Sequence, residues 1–248
     1  MNENDYVTFD PKIPKHKPII TKLLIILISI MFIVELIYTA HYGEKGIIIL
    51  GAKWNEGITH GEYWRFFTCA LLHGGLMHLF LNLAGIYIFG QELESIYGSI
   101  KFLLICLLTS WGSTLASYAF SSGTAIGASG IVFGIIGCLI SFYFTQKGKV
   151  TGADYKFKSM YTLVIINLIL GFMMPRIDNS AHIGGIFTGL LSGWLLSPKY
   201  EILKDDELQR LKVKEEKNIS RFIIGVIFLT LLLIWLTKIA ISLKVVNT

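Results

Sequence analysis

Apolar residues in this chain come in long runs separated by polar, lysine-rich stretches. A bilayer core of about 30 Å needs about 20 apolar residues per helix. Seven runs approach that length, at 19–40, 68–89, 100–120, 127–144, 161–174, 182–197 and 222–243. The fifth and sixth are short for spans that face lipid, so they are expected to pack among other helices. The pattern predicts an all-α polytopic membrane protein, a bundle of six transmembrane helices plus a seventh at the C-terminus. Residues 1–18 read as a polar tail and 19–197 as the six-helix core. Residues 198–220, mixed in charge and rich in Lys and Glu, read as a solvated connector, helical in part. Residues 221–248 read as an added helix with no part in the chemistry.

Composition narrows the class further. With 53% hydrophobic and 16% charged residues, the chain is too apolar for an ordinary soluble domain. The net charge of +5 does not point to nucleic acid, because the basic residues flank the apolar runs. If the N-terminus is cytoplasmic, the inside connections collect most of them, including Lys147, Lys149, Lys156 and Lys158 and the basic residues between Lys199 and Arg221. Lys45, Lys53, Arg65, Arg176, Lys238 and Lys244 remain outside. That asymmetry predicts a multi-pass protein of the cell membrane with a cytoplasmic N-terminus and an extracellular C-terminus. Cys69, Cys106 and Cys138 lie in or beside the runs and do not form a disulfide framework. No small-residue cleavage site follows the first run, so it is not expected to be a signal peptide. The outside loop 41–67 carries Trp54, Tyr63, Trp64, Phe66 and Phe67 and is expected to lie at the headgroup level.

Polar groups inside spans are costly, so each is a functional lead. Glu35 lies in the first run, His73, His78 and Asn82 in the second, Ser129 opens the fourth, Asn167 lies in the fifth, and His182 opens the sixth. Even-numbered runs enter from the outside, which puts Ser129, His182, His73, His78 and Asn82 at similar depth. His78 and Asn82 are four apart and share a helix face. His73, about 140° away around a regular helix, fits an opening turn formed with Gly74-Gly75. Taken alone, Ser129 within Gly127-Ala128-Ser129-Gly130 reads first as a helix start with packing glycines, and as a nucleophile only if a base is found elsewhere in the chain. Gly130 and Gly134 in the fourth run, and Gly185, Gly189 and Gly193 in the sixth, recur every four residues. Such faces let two helices approach closely, as a contact between Ser129 and His182 requires.

Taken together, the motifs resemble the rhomboid intramembrane serine proteases. The resemblance runs from Trp64-Arg65 through His73, His78 and Asn82, then Gly127-Ala128-Ser129-Gly130 with Phe133 and Gly134, to Ala181-His182 with Gly185 and Gly189. It implies a Ser–His dyad, with Ser129 as nucleophile and His182 as general base and acid. The oxyanion would be held by His78, Asn82 and the Ser129 backbone N–H. His73, Gly127 and Gly130 match positions near the site, and Phe133, one turn after Ser129, would pack on the His182 ring. Trp64, Arg65 and Glu94 match structural positions. No triad acid is implied, which leaves Asp178, four residues before His182, and Glu35 outside the chemistry. The implied activity is endopeptidase cleavage of transmembrane protein substrates near the outer face of the lipid bilayer, with no cofactor, metal or nucleic acid. The alternative is a non-catalytic relative acting as a membrane-protein binding or quality-control factor. A metalloprotease is disfavoured because the chain has no His-Glu-x-x-His. A transporter is disfavoured because no charged pathway or inverted repeat is legible.

Overall fold

The structure, a computed structural model, describes residues 16–147, 152–174, 177–205, 210–216 and 218–246. Most of the predicted tail lies outside the described residues, as do Lys149, Arg176 and Lys217 of the basic residues weighed above. The chain is a helical membrane bundle. Helix α1 (Ile19–Tyr42) is followed by the short helices α2 (Lys45–Ile49), α3 (Asn55–Thr59) and α4 (Arg65–Thr68). A 3₁₀ turn, Cys69–Leu71, then leads into α5 (Leu76–Gly85). A π-helical segment, Ile86–Gly90, joins α5 to α6 (Gln91–Tyr97). The remaining core helices are α7 (Ser99–Phe120), α8 (Ser129–Thr145), α9 (Ala153–Met173) and α10 (Asn179–Leu196). Helix α11 (Ile219–Val246) ends the described chain.

Helices α1, α7, α9 and α11 are each long and apolar enough to cross a membrane, and Arg65–Leu71 with Leu76–Tyr97 adds a fifth span if that pair, bent by 105°, counts as one. Of the two runs expected to be short, the sixth is, with α10 at 18 residues, and the fifth is not. The fifth run extends N-terminally through Lys156 and Lys158, making α9 21 residues long. The fourth is the shortest, with α8 at 17 residues. It occupies the centre: nearly every residue from Gly130 to Tyr143 is buried, so neighbouring helices rather than lipid surround it along most of its length.

The connector also departs from expectation. Residues Lys199–Asp205 (β1) and Arg210–Glu216 (β2) form an antiparallel hairpin, with Ile202 opposite Val213. Apolar positions there alternate with charged ones, Tyr200-Glu201-Ile202 and Leu211-Lys212-Val213, a period of two that suits a strand.

Three polar anchors hold the frame. The Glu94 carboxylate accepts the backbone N–H groups of Ile19, Ile20 and Thr21 at 2.8–2.9 Å, together with the Thr21 hydroxyl at 2.7 Å. It therefore caps the N-terminus of α1, where a negative charge meets the unpaired donors and the positive end of the helix dipole. Arg65 donates from Nη1 to the carbonyls of Ile48 and Ala52, both at 2.8 Å, and pairs with Glu62, so the outer loop folds back on α4. Trp111 Nε1 donates to Thr237 Oγ1 at 3.1 Å and ties α11 to α7.

Candidate active site

Close helix packing builds the site. A Cβ at Gly185 would run into the Gly130 carbonyl oxygen, and one at Gly189 into that of Gly134. At Gly193 it would come 2.7 Å from the Cys138 oxygen. The two glycine faces therefore let α8 and α10 touch backbone to backbone, closer than any larger residue allows. Gly130 and Gly134 also sit tight against Ser113 and Thr109 of α7, so α8 is clasped from both sides.

This approach brings the openings of the two helices together. Ser129 is the first residue of α8, and its Oγ lies 3.0 Å from Nε2 of His182, in the first turn of α10. The Phe133 ring lies one turn further on, stacked on the His182 ring at 4.2 Å between centroids and tilted by 30°. That wall fixes the imidazole plane on one side. On the other side of the ring, buried Nδ1 has no hydrogen-bond partner among the described residues. Asp178 does not reach it. Its carboxylate accepts the Ala181 N–H at 3.1 Å, capping α10, and the Ser117 hydroxyl at 2.5 Å. Asp178 is an N-cap.

His73, His78 and Asn82 surround the loop that leads into Ser129. His73 lies in the break between the 3₁₀ turn and α5, as its spacing suggested. Its ring stands 5.1 Å from that of His78, and its Nε2 accepts the Ala128 N–H at 3.4 Å. His78 faces Gly127. That glycine has φ +122°, and a Cβ there would come 2.6 Å from His78 Nε2, so any side chain would be strained and would collide with the ring. Buried Asn82 donates one amide hydrogen to the His78 carbonyl at 2.8 Å. The N–H groups that open α8 have no partners inside the helix and carry the positive end of its dipole. The opening of α8 therefore favours a negatively charged group. Asn167 turns back on its own helix, donating to Leu163 O at 2.8 Å, and takes no part.

Two further residues brace the loops around the cluster. Glu35 of α1 is buried, and its Oε2 accepts the His73 N–H at 2.6 Å, which fixes the backbone of the break. Lys53, weighed only as an outside charge, is fully buried and bonds to the loop before Ser129. Sequence patterns do not show which carbonyls a loop lysine will meet. A lysine between Ala52 and Trp54, in an interfacial aromatic loop, was the available signal. Among the described residues, no group of three or more His, Cys, Asp and Glu side chains is placed to hold a metal ion.

A helical membrane protein whose two central helices meet in a serine–histidine contact is the class that fold and site define. The family model described as Rhomboid domain matches residues 60–199, which contain every residue of the cluster except Glu35 and Lys53. The chain belongs to the rhomboid family. It is 36% identical over 176 residues to Rhomboid protease GluP of Bacillus subtilis (strain 168), a match spanning 71% of this chain and 34% of that protein. It is 33% identical over 156 residues to RHOMBOID-like protein 5 of Arabidopsis thaliana, covering 61% and 50%. With RHOMBOID-like protein 2 of the same plant, it is 30% identical over 188 residues, covering 75% and 59%. The chain thus spans about a third to three fifths of the length of these relatives.

Proposed function

We propose that this chain is an intramembrane serine endopeptidase that cleaves transmembrane protein substrates near the outer face of the bilayer. The observation that carries the reading is the 3.0 Å contact between Ser129 Oγ and His182 Nε2, in a half-buried site at the opening of α8. His182 Nε2 takes the hydroxyl proton as Oγ attacks the scissile carbonyl carbon. The carbonyl π-electrons move onto oxygen, and the resulting oxyanion is met by the Ser129 N–H, the second Asn82 amide hydrogen and the His78 ring. A single donor of this kind in a water-poor site is worth about 3 kcal/mol of barrier. Collapse of the tetrahedral intermediate breaks the C–N bond, and His182 returns its proton to the leaving amine. Water, deprotonated by the same Nε2, then releases the acyl group from Ser129. Phe133 keeps the imidazole in one plane through both halves. The chemistry runs on two groups, with the orienting role of a third replaced by packing.

The topology that goes with this reading has a cytoplasmic N-terminus and an extracellular C-terminus, so the site opens toward the outer leaflet. The test is turnover of a reporter transmembrane substrate by the purified protein in liposomes. Wild type is expected to cleave, and Ser129→Ala and His182→Ala are expected to lose activity while keeping the wild-type melting temperature. Asn82→Ala is expected to retain turnover slower by about a hundredfold, the loss of one oxyanion donor. Wild-type turnover in Ser129→Ala would overturn the reading.

A further inference from the structure

Lysine in a fully buried position is unusual, because its ammonium loses hydration that only good acceptors replace. Lys53 is such a residue, and what it holds is the loop that delivers Ser129. Its Nζ donates to the carbonyl oxygens of Ser121 at 2.9 Å and Gly123 at 2.8 Å. Asn55 Nδ2 donates to the same Ser121 oxygen at 2.9 Å. The Lys53 backbone adds a two-bond bridge to Ala125, with N–H···O distances of 2.9 and 3.1 Å. Ser121 follows the last residue of α7, so the ammonium sits at the negative end of that helix, where a cation is favoured.

Further along the same loop, the Gly127 N–H donates to Cys69 O at 3.0 Å and the Ala128 N–H to His73. Every second or third residue between Ser121 and Ser129 is therefore pinned, and the outer loop makes the first half of the pins through Lys53 and Asn55. Removal from water lowers the Lys53 pKa to about 8, with the Asp178 carboxylate opposing the shift and Lys244 adding to it.

We propose that Lys53 is a positioning residue of the protease site, clamping the 121–128 loop so that the Ser129 N–H and hydroxyl meet the substrate carbonyl in register. The inference rests on the serine-protease reading above. Its logic is distance. A displacement of about 1 Å in a reacting group costs roughly a hundredfold in rate, and a loop freed at its first half would pass such a displacement to Ser129. A clamp acts on the chemical step and leaves substrate docking alone, so the effect belongs in kcat.

The test uses the full-length protein in liposomes. Lys53→Met keeps the apolar stem and removes the donors. The expected result is a fall in kcat of about tenfold or more with KM within about twofold of wild type. Amide exchange of residues 123–128 should rise while α8 and α10 keep wild-type protection. Asn55→Ala, which removes only one of the bonds to Ser121, should lower kcat by about threefold. A folded Lys53→Met with wild-type kcat, a loss confined to KM, or unchanged exchange in the loop would each overturn the proposal. If Lys53→Met does not fold, wild-type kcat and wild-type loop exchange in Asn55→Ala overturn it instead. Failure of the underlying reading looks different: wild type itself would not cleave, or Ser129→Ala would cleave as fast.

Discussion

At the scale of single residues, the site depends on what each side chain is prevented from doing. His182 is held by a ring stack and one hydroxyl and has no carboxylate behind it. Asp178 is spent on the Ala181 N–H and Ser117. Asp178→Asn keeps an acceptor for the cap, so we expect kcat within about threefold of wild type, whereas loss of a working triad acid costs about 10⁴-fold. Asp178→Ala should lower stability by about 1 kcal/mol through the lost cap, read by thermal unfolding, with kcat again little changed. Gly127 is constrained from the opposite direction. Its φ of +122° and the His78 ring 2.6 Å from any Cβ exclude a side chain. Gly127→Ala should still fold, at a strain of about 1–3 kcal/mol, and should lose about a hundredfold or more in kcat as His78 and the loop are displaced. The sequence made Ser129, His182, His78 and Asn82 legible because polar groups in apolar runs are few. Glu35 stood out as a polar group in an apolar run, but neither its contact nor that of Lys53 was legible, because their partners are backbone groups that only the folded loops bring near.

At the scale of elements, the contact between α8 and α10 is the structural device on which the site depends. The four-residue glycine repeats announced it, since that period places small residues on one helix face. The structure adds its tightness: at Gly185 and Gly189 the neighbour is a backbone carbonyl, which cannot rotate away. Gly189→Ala should therefore push the helices apart and reduce both melting temperature and kcat, although it lies two turns from the chemistry. A wild-type melting temperature in Gly189→Ala would contradict the packing described. Hydrophobic runs located all seven major helices, because membrane helices satisfy their backbone internally and must be apolar. They misjudged the length of the fifth, since Asp154, Lys156 and Lys158 break the apolar run at the start of α9. They also missed the hairpin, whose alternation runs for only four residues in β1 and five in β2, too short to stand out among the charges.

At the scale of the whole molecule, a central pair of short helices is screened by longer ones, and α11 closes one side through Leu229, Leu233 and the Trp111–Thr237 bond. Thr237→Val should cost about 1 kcal/mol in stability and leave turnover unchanged, as an added helix outside the chemistry requires. The proposed orientation has its own check. An impermeant thiol reagent applied to intact cells should modify a cysteine introduced at Glu44 and spare one introduced at Lys147, and the reverse pattern would invert the topology.

The central claim is that Ser129 is a nucleophile activated by His182, and its most direct measurement is the site of covalent capture. A serine-directed fluorophosphonate is reacted with the folded protein, and the adduct is located by peptide mass spectrometry. The account predicts a single adduct on Ser129 in wild type and none in His182→Ala. An adduct on another residue, or equal labelling of Ser129 in His182→Ala, would contradict it.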